Sequence, residues 1–150
     1  MKILFVCSAN ACRSPMAEGI TRKLLHDNNI SKVKVDSSGL DALAGMPATE
    51  ETIETMKARG VDLTSHRSKV FRPDIGPKDM VLTMTRSQKE RILSKHPFLL
   101  GRVFTLSEYA KNSPQDLDDP SKGEVSYEEV ADEIESSVRL VLGLPSERRK

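Results

Sequence analysis

Two kinds of hydrophobic pattern alternate along this chain. Short continuous apolar runs are typical of strands buried on both faces of a sheet, and they alternate with longer stretches in which apolar residues recur at helical spacing. The apolar runs predict strands over residues 2–6, 33–36, 79–85 and 103–104. The helical spacing predicts helices over residues 15–28, 49–59, 87–94 and 127–142.

Strands that alternate with helices predict an α/β fold, in which a parallel sheet is covered by helices on both faces. In an open sheet of this kind, ligands bind beyond the carboxyl ends of the strands. The apolar faces of three predicted helices identify core residues. These are Ile20, Leu24 and Leu25, then Ile53 and Met56, and finally Val130, Ile134, Val138 and Val141.

Length and charge narrow the class of protein. A chain of 150 residues usually forms one domain with a real core, so we expect a single domain over residues 1–150. Its 23 Lys and Arg residues nearly balance 22 Asp and Glu, which predicts no nucleic-acid partner, and the basic end at 148–150 is interpreted as a solvated tail. No apolar run reaches the length of a membrane span and no signal-peptide pattern is found, so we expect no membrane partner.

The chain has two cysteines, Cys7 and Cys12. They lie too close together for a structural disulfide framework, which favours a reducing compartment, and we expect a cytoplasmic protein. Cys7 directly follows the first predicted strand, at the edge of the sheet where ligands bind. On spacing alone, a small apolar residue that ends a core strand is as good an interpretation of Cys7 as a nucleophile.

A loop of small residues follows Cys7 and leads into the first predicted helix. Backbone N–H groups of such a loop can converge on one anion, and the amino end of the helix adds positive partial charge. Arg13 contributes a planar fork that binds two phosphate oxygens, and the same field favours an ionised sulfur at Cys7. The pattern therefore predicts a phosphate loop with a nucleophilic thiolate below the anion. Its other members are Ser8, Ala9, Asn10, Ala11, Cys12 and Ser14.

The segment from Cys7 to Glu18 resembles the signature of the low molecular weight protein tyrosine phosphatases. Its sequence is Cys-Ser-Ala-Asn-Ala-Cys-Arg-Ser-Pro-Met-Ala-Glu. The resemblance covers nearly the whole chain, because residues 36–39, 80–85 and 119–120 are similar to the second-strand loop, third strand and acid loop of that family. It implies a three-layer α/β sandwich with a four-stranded parallel sheet in the order 2-1-3-4, flanked by helices on both faces. It also implies a phosphatase that needs no metal or cofactor.

The resemblance implies a role for three residues. Cys7 is the nucleophile that forms a phosphocysteine, Arg13 holds the phosphate, and Asp119 protonates the leaving group and then activates water. Pro120 restricts Asp119 to extended conformations, which stiffens the placement of the acid. Asp118 is the second candidate for the acid, and composition alone favours an acidic surface turn over either role.

Supporting residues follow from the same resemblance. Asn10 matches an asparagine that the family holds in a left-handed backbone conformation, which asparagine tolerates better than most residues. Ser38 and His66 match the partners that tether this asparagine, although a lone histidine is more often an ordinary surface residue. Ser14 is expected to donate a hydrogen bond to the Cys7 sulfur.

The position of Cys12 in the same loop suggests a redox role. Under oxidation, Cys12 is expected to trap Cys7 as a reversible disulfide.

Substrate choice is where the chain departs from its family. Tyrosine-directed members carry aromatic residues after the Asp-Pro pair, whereas Ser-Lys-Gly follows here, and the opposite wall at residues 40–43 also has no ring. Stacking is worth about 0.5–1.5 kcal/mol per pair, so losing both walls costs about tenfold in tyrosine preference. Ala11 matches neither the branched aliphatic residue of tyrosine-directed members nor the threonine of arginine-directed ones, while residues 103–109 resemble the arginine-directed branch.

We therefore expect a monomeric phosphatase of phosphorylated proteins that binds phosphate or another oxyanion in its loop. Phosphotyrosine is the first candidate substrate and phosphoarginine the second. Arsenate reductases share the fold and loop but relay electrons through later cysteines, and this chain has none after Cys12. A phosphate-binding module without catalysis is disfavoured because binding alone needs neither a nucleophile nor an acid.

Overall fold

The computed structural model describes residues 1–146, so the basic end at 148–150 lies outside the described residues. Strands and helices alternate as the hydrophobic pattern predicts. In chain order they are β1 (Lys2–Cys7), α1 (Arg13–Asp27), β2 (Lys34–Gly39), α2 (Glu50–Ala58), β3 (Met80–Thr83), α3 (Arg86–Lys95), β4 (Val103–Thr105), α4 (Leu106–Lys111) and α5 (Tyr127–Val141). Short 3-10 turns occupy Pro97–Leu99 and Pro120–Lys122. No described helix combines the length and apolarity needed to cross a bilayer.

The four strands form one parallel sheet in the order β2-β1-β3-β4, which confirms the predicted topology. The central strand β1 pairs with β2 up to the pair Cys7–Gly39, and with β3 up to the pair Val6–Thr83. The carboxyl ends of three strands therefore meet beside Cys7. This is the edge at which an open parallel sheet binds ligands.

The side chains of β1 alternate between two hydrophobic cores, because successive residues of a strand point to opposite faces. Ile3, Phe5 and Cys7 join the larger core with α1, α2 and α5. Leu4 and Val6 join the smaller core beneath α3. Helices thus cover both faces of the sheet, which confirms the three-layer architecture. The predicted core faces of α1 and α5 are buried, apart from a half-buried Val141.

Most predicted elements end within two residues of their observed bounds, with two instructive exceptions. Strand β2 continues through Ser37 and Ser38 to Gly39, although these polar residues broke the apolar pattern. Helix α4 was not predicted, because six residues are too few for a periodic pattern to emerge. Its local signal was present, since Thr105 and Glu108 form a capping box at its start.

Candidate active site

The loop that joins β1 to α1 leaves the first turn of α1 open. Cys12 is the N-cap residue, and within the described residues no side chain caps this end. The first turn of the helix also carries no acidic residue. Because the first N–H groups of a helix have no partner inside it, they are available to an anion above Cys7. An uncapped helix start of this kind is the feature on which the predicted phosphate loop depends.

Ser14 provides the closest polar contact to the sulfur. Its Oγ lies 2.9 Å from Cys7 Sγ, and it accepts a hydrogen bond of 2.9 Å from Asn10 Nδ2. Since Asn10 supplies the donor, the hydroxyl hydrogen of Ser14 is free to point at the sulfur. The other acceptor in reach, the backbone oxygen of Ser38, is more distant at 3.5 Å. A donated hydrogen bond of this kind stabilises a negatively charged sulfur.

Asn10 is fully buried and holds the centre of the loop. Its φ of 55° is left-handed, as the resemblance implied. Its Oδ1 accepts the backbone N–H of Lys69 at 2.9 Å, and its Nδ2 donates to Ser14 and Ser37. His66 Nε2 lies 2.8 Å from the backbone oxygen of Asn10. A carbonyl can only accept, so Nε2 carries the hydrogen.

The expected tether Ser38 is wrong, because the neighbouring Ser37 makes the contact. Asn10 Nδ2 donates to Ser37 Oγ at 2.9 Å, and Ser37 in turn donates to Glu18 Oε1 on α1. Consecutive strand residues point to opposite faces, so Ser38 is turned away from the loop. Its buried Oγ has no hydrogen-bond partner within residues 1–146. The resemblance identified the correct segment of β2 but the wrong one of its two serines.

Arg13 links the phosphate loop to the acidic segment. Its Nη1 donates to the backbone oxygen of Leu117 at 2.8 Å, and its Nη2 lies 3.8 Å from Asp119 Oδ2. Leu117 is itself fixed, because its N–H donates to the oxygen of Met84 just beyond β3 at 2.9 Å. The guanidinium is therefore held in place before an anion binds, and its remaining N–H groups are left for phosphate oxygens.

Asp119 stands at the rim of the site with its two oxygens in different surroundings. Oδ1 accepts from the N–H of Ser121 at 3.0 Å and from its hydroxyl at 2.7 Å. Partial burial raises the pKa of Asp119. The hydrogen bonds from Ser121 and the charges of Arg13 and Lys122 lower it by a larger amount, so the pKa lies below its usual range. Asp118, the second candidate acid, is exposed and lines a different groove with Ser107 and Lys111.

Gln88 is a site residue that the sequence analysis missed. Its Nε2 donates to Ser8 Oγ at 3.2 Å, while its Oε1 accepts the N–H groups of Met84 and Thr85. Thr85 and Gln88 form a capping box at the start of α3, a pattern that was visible in the sequence. That box signals a helix start, but the contact with a loop eighty residues earlier is decided by the fold alone.

The segment that follows β2 runs along the phosphate loop. The N–H groups of Leu40, Asp41 and Thr49 donate to the backbone oxygens of Cys7, Ser8 and Ala11 respectively, at 2.8–3.1 Å. A Cβ on Gly39 would lie 2.6 Å from the oxygen of Ser8, which leaves no room for a side chain. The loop is thus clamped along its length.

Cys12 is the second free thiol of the loop. Burial raises the pKa of the Cys12 thiol to about 11, and a hydrogen bond with Thr52 lowers it by less. Cys12 is therefore a protonated, unreactive thiol near neutral pH.

Tyrosine-directed relatives carry aromatic residues after the Asp-Pro pair and on the opposite wall of the site. In this chain neither Ser-Lys-Gly after Pro120 nor residues 40–43 contain an aromatic ring. Leu43 on the neighbouring loop is 74% exposed, and Ser121 follows Pro120. Half-buried Tyr127, the first residue of α5, is an aromatic residue near the site that sequence analysis missed. Burial raises the pKa of Tyr127, and negatively charged neighbours raise it further.

Residues 1–146 contain no cluster of three or more His, Cys, Asp or Glu side chains suited to hold a metal ion. The phosphate loop instead offers backbone N–H groups, the guanidinium of Arg13 and the thiol of Cys7. This set of groups can bind a tetrahedral anion and attack it.

The family model described as low molecular weight phosphotyrosine protein phosphatase matches residues 2–148. The protein-arginine-phosphatase of Bacillus subtilis is 34% identical over 151 residues, covering 99% of this chain and 100% of that protein. A probable low molecular weight protein-tyrosine-phosphatase, EpsP of Ralstonia nicotianae, is 35% identical over 138 residues, covering 91% and 90% of the two chains.

Solved structures of both kinds superpose on this fold. A low molecular weight protein tyrosine phosphatase from T. tengcongensis matches with a TM-score of 0.86 and 32% identity, covering 95% of this chain and 98% of the other. A cysteine-to-serine mutant of the arginine phosphatase YwlE, with a phosphorylated active-site serine, matches with a TM-score of 0.86 and 30% identity, covering 95% and 94%.

Proposed function

This chain belongs to the low molecular weight phosphotyrosine protein phosphatase family and is a hydrolase of the phosphomonoesterase type, and from this premise we propose that it dephosphorylates proteins through a phosphocysteine on Cys7. One observation carries the proposal. Cys7 Sγ lies 2.9 Å from Ser14 Oγ beside the uncapped start of α1, and Arg13 of that same first turn lies 3.8 Å from Asp119.

In the first step, Cys7 Sγ attacks phosphorus. The P–S bond forms while the P–O bond to the tyrosine ring breaks, and the electron pair leaves on the phenolic oxygen. The protonated form of Asp119, which its lowered pKa favours only at acidic pH, donates its proton to that oxygen, because a phenoxide is a poor leaving group. Arg13 and the backbone N–H groups hold the phosphate oxygens and balance their charge in the transition state.

In the second step, the Asp119 carboxylate takes a proton from a water molecule whose oxygen attacks phosphorus. The P–S bond breaks, its electron pair returns to sulfur, and phosphate leaves. The phosphorylated active-site serine in the cysteine-to-serine mutant of YwlE supports a covalent intermediate of this kind at the corresponding position. The cycle requires no metal.

Phosphotyrosine is the first candidate substrate, in keeping with the family. Phosphoarginine is the second, favoured by the end-to-end match with a protein-arginine-phosphatase and by Ser121 in place of a ring. With phosphoarginine, the P–N bond breaks and a guanidino nitrogen takes the proton. We expect a monomer, and the two cysteines of the chain favour a reducing compartment such as the cytoplasm.

The test compares turnover of p-nitrophenyl phosphate and of two peptides with one sequence, carrying phosphotyrosine or phosphoarginine. Cys7→Ser is expected to abolish turnover, while Cys12→Ser retains it and acid quench of the wild type traps one phosphate on Cys7. A preference of tenfold or more for one peptide assigns the substrate. Equal turnover by wild type and Cys7→Ser, or no trapped adduct, would refute the mechanism.

A further inference from the structure

The residue after Pro120 contacts the proposed acid directly. Ser121 donates two hydrogen bonds to Asp119 Oδ1, from its N–H at 3.0 Å and from its hydroxyl at 2.7 Å. The other carboxylate oxygen, Oδ2, accepts no hydrogen bond within the described residues and lies 3.8 Å from Arg13 Nη2. The two oxygens are therefore not equivalent, and only one of them faces the phosphate loop.

The occupied oxygen is a poor place for a proton. An N–H group cannot accept a hydrogen bond, so protonating Oδ1 breaks the contact with the Ser121 backbone and forces its hydroxyl to rotate. A proton on Oδ2 disturbs neither contact, and Oδ2 is the oxygen on the side of Arg13. Proton transfer to the leaving group thus takes place from Oδ2.

We infer that Ser121 is a positioning residue for Asp119, whose hydroxyl holds Oδ1 and directs the catalytic proton to Oδ2. The inference rests on the proposed function, because it takes Asp119 as the general acid. The Ser121 hydroxyl also favours the carboxylate form of Asp119, which the second step requires.

The local chain geometry sets up this contact. Asp119 has extended backbone angles, as expected before proline, and it caps the short 3-10 turn over Pro120–Lys122. Gly123 closes that turn with a φ of 82°, a conformation that suits glycine. The turn folds residue 121 back onto the carboxyl, and an aromatic side chain there would have no hydroxyl to donate at this distance.

A purely structural role for Ser121, as part of a capping turn, is the alternative. Ser126 provides the matched control, because its hydroxyl caps α5 by accepting the N–H of Glu129 and has no contact with Asp119. Ser126→Ala should lower the midpoint of urea unfolding without changing the pH profile. Ser121→Ala should change the pH profile.

The experiment measures kcat/KM against pH for phenyl phosphate, which needs a proton on its leaving group, and for p-nitrophenyl phosphate, which needs it far less. The relevant limb is the fall in activity as Asp119 loses its proton, identified as the limb that Asp119→Asn removes. In Ser121→Ala the pKa of Asp119 rises, so this limb moves to higher pH by about 0.5–1 unit. At pH values below this limb, where Asp119 is protonated in both proteins, kcat/KM for phenyl phosphate falls about 3- to 10-fold more than that for p-nitrophenyl phosphate.

Ser121→Thr keeps the hydroxyl and should restore both the limb and the leaving-group dependence. An unshifted limb in Ser121→Ala, or a threonine variant that behaves like alanine, would overturn the inference while leaving the phosphatase mechanism intact. If Asp119→Asn itself has no effect with phenyl phosphate, the acid assignment fails and the inference fails with it.

Discussion

At the scale of single residues, two adjacent serines of β2 have different hydrogen-bond environments. Ser37 and Ser38 are both buried, but only Ser37 joins the chain of hydrogen bonds from Glu18 through Asn10 to Ser14 and the sulfur. Ser38 Oγ faces the opposite side of the sheet and, within residues 1–146, has no partner. A buried hydroxyl without a partner costs stability, whereas one in a network maintains geometry.

We predict opposite outcomes for Ser37→Ala and Ser38→Ala. Removing the Ser37 hydroxyl leaves a buried N–H of Asn10 unpaired, which costs about 1–3 kcal/mol and should lower kcat about tenfold as the loop loosens. Removing the Ser38 hydroxyl should leave kcat unchanged and the urea midpoint equal or higher. Turnover of p-nitrophenyl phosphate and urea unfolding measure both effects. A larger activity loss in Ser38→Ala would contradict the contact described above.

The burial of Cys12 leads to a pH-dependent prediction about oxidation. With the pKa of its thiol near 11, only on the order of one Cys12 in ten thousand is ionised at pH 7, and that fraction rises about tenfold per pH unit until the pKa is reached. After peroxide oxidises Cys7, closure of the disulfide by Cys12 should therefore accelerate with pH. Alkylation and mass spectrometry at several pH values measure the rate. A closure rate independent of pH between 6 and 9 would argue against attack by the Cys12 thiolate.

At the scale of elements, one arginine joins α2 to α5. Arg59, at the end of α2, has a side chain only 16% exposed and forms ion pairs with Glu128, Asp132 and Glu135 at 2.9–3.2 Å. These acids are spaced four and three residues apart, so they share one face of α5. The network fixes α2, the helix whose Thr52 contacts Cys12 behind the loop.

Arg59→Met should lower the free energy of unfolding by about 1–2 kcal/mol, because it leaves three acidic groups without their shared cation. Activity at 25 °C should stay near that of the wild type, since Arg59 does not contact the phosphate loop. Lys23→Ala breaks an exposed pair with Asp27 and is the control, with little or no expected loss because solvent screens this pair. Urea unfolding at two salt concentrations compares them. Equal losses in the two variants would contradict the assigned importance of Arg59.

At the scale of the whole molecule, the phosphate loop is held by segments from five parts of the chain. They are residues 37–41, the backbone of Thr49, the His66–Lys69 stretch, Gln88 and the backbone of Leu117. No two of these segments are neighbours in sequence, so the loop keeps its shape only in the folded protein. Its capacity for an anion is therefore coupled to global stability.

Phosphate should stabilise the native protein by mass action. At a concentration one hundred times its dissociation constant, the gain is about 2.7 kcal/mol, which corresponds to several degrees in Tm for a chain of this size. Arg13→Lys removes the planar fork and should lose most of the shift. Thermal unfolding with and without phosphate, at constant ionic strength, provides the measurement. A shift that survives in Arg13→Lys would place the bound anion elsewhere.

Local features determined much of this protein at the level of sequence. Apolar runs and helical spacing specify the order of strands and helices, because burial imposes periods of two and 3.6 residues on the chain itself. Short motifs specify the composition of the phosphate loop, because an anion needs small residues, a helix start and an arginine close together in sequence. The resemblance to a phosphatase family supplied the sheet order and the acid before proline.

Contacts between distant segments were decided only by the tertiary structure. Whether Ser37 or Ser38 reaches Asn10 depends on the strand face, and the strand there has no apolar alternation from which to infer it. The contacts of Gln88 with Ser8 and of Arg59 with α5 join residues about seventy to eighty positions apart. In the sequence, Ser121 is notable only as a position where tyrosine-directed relatives carry an aromatic ring. The structure shows that its hydroxyl donates a hydrogen bond to Asp119 Oδ1. Sequence patterns record what each segment buries, whereas the partners of a buried polar group are set by how the segments pack together.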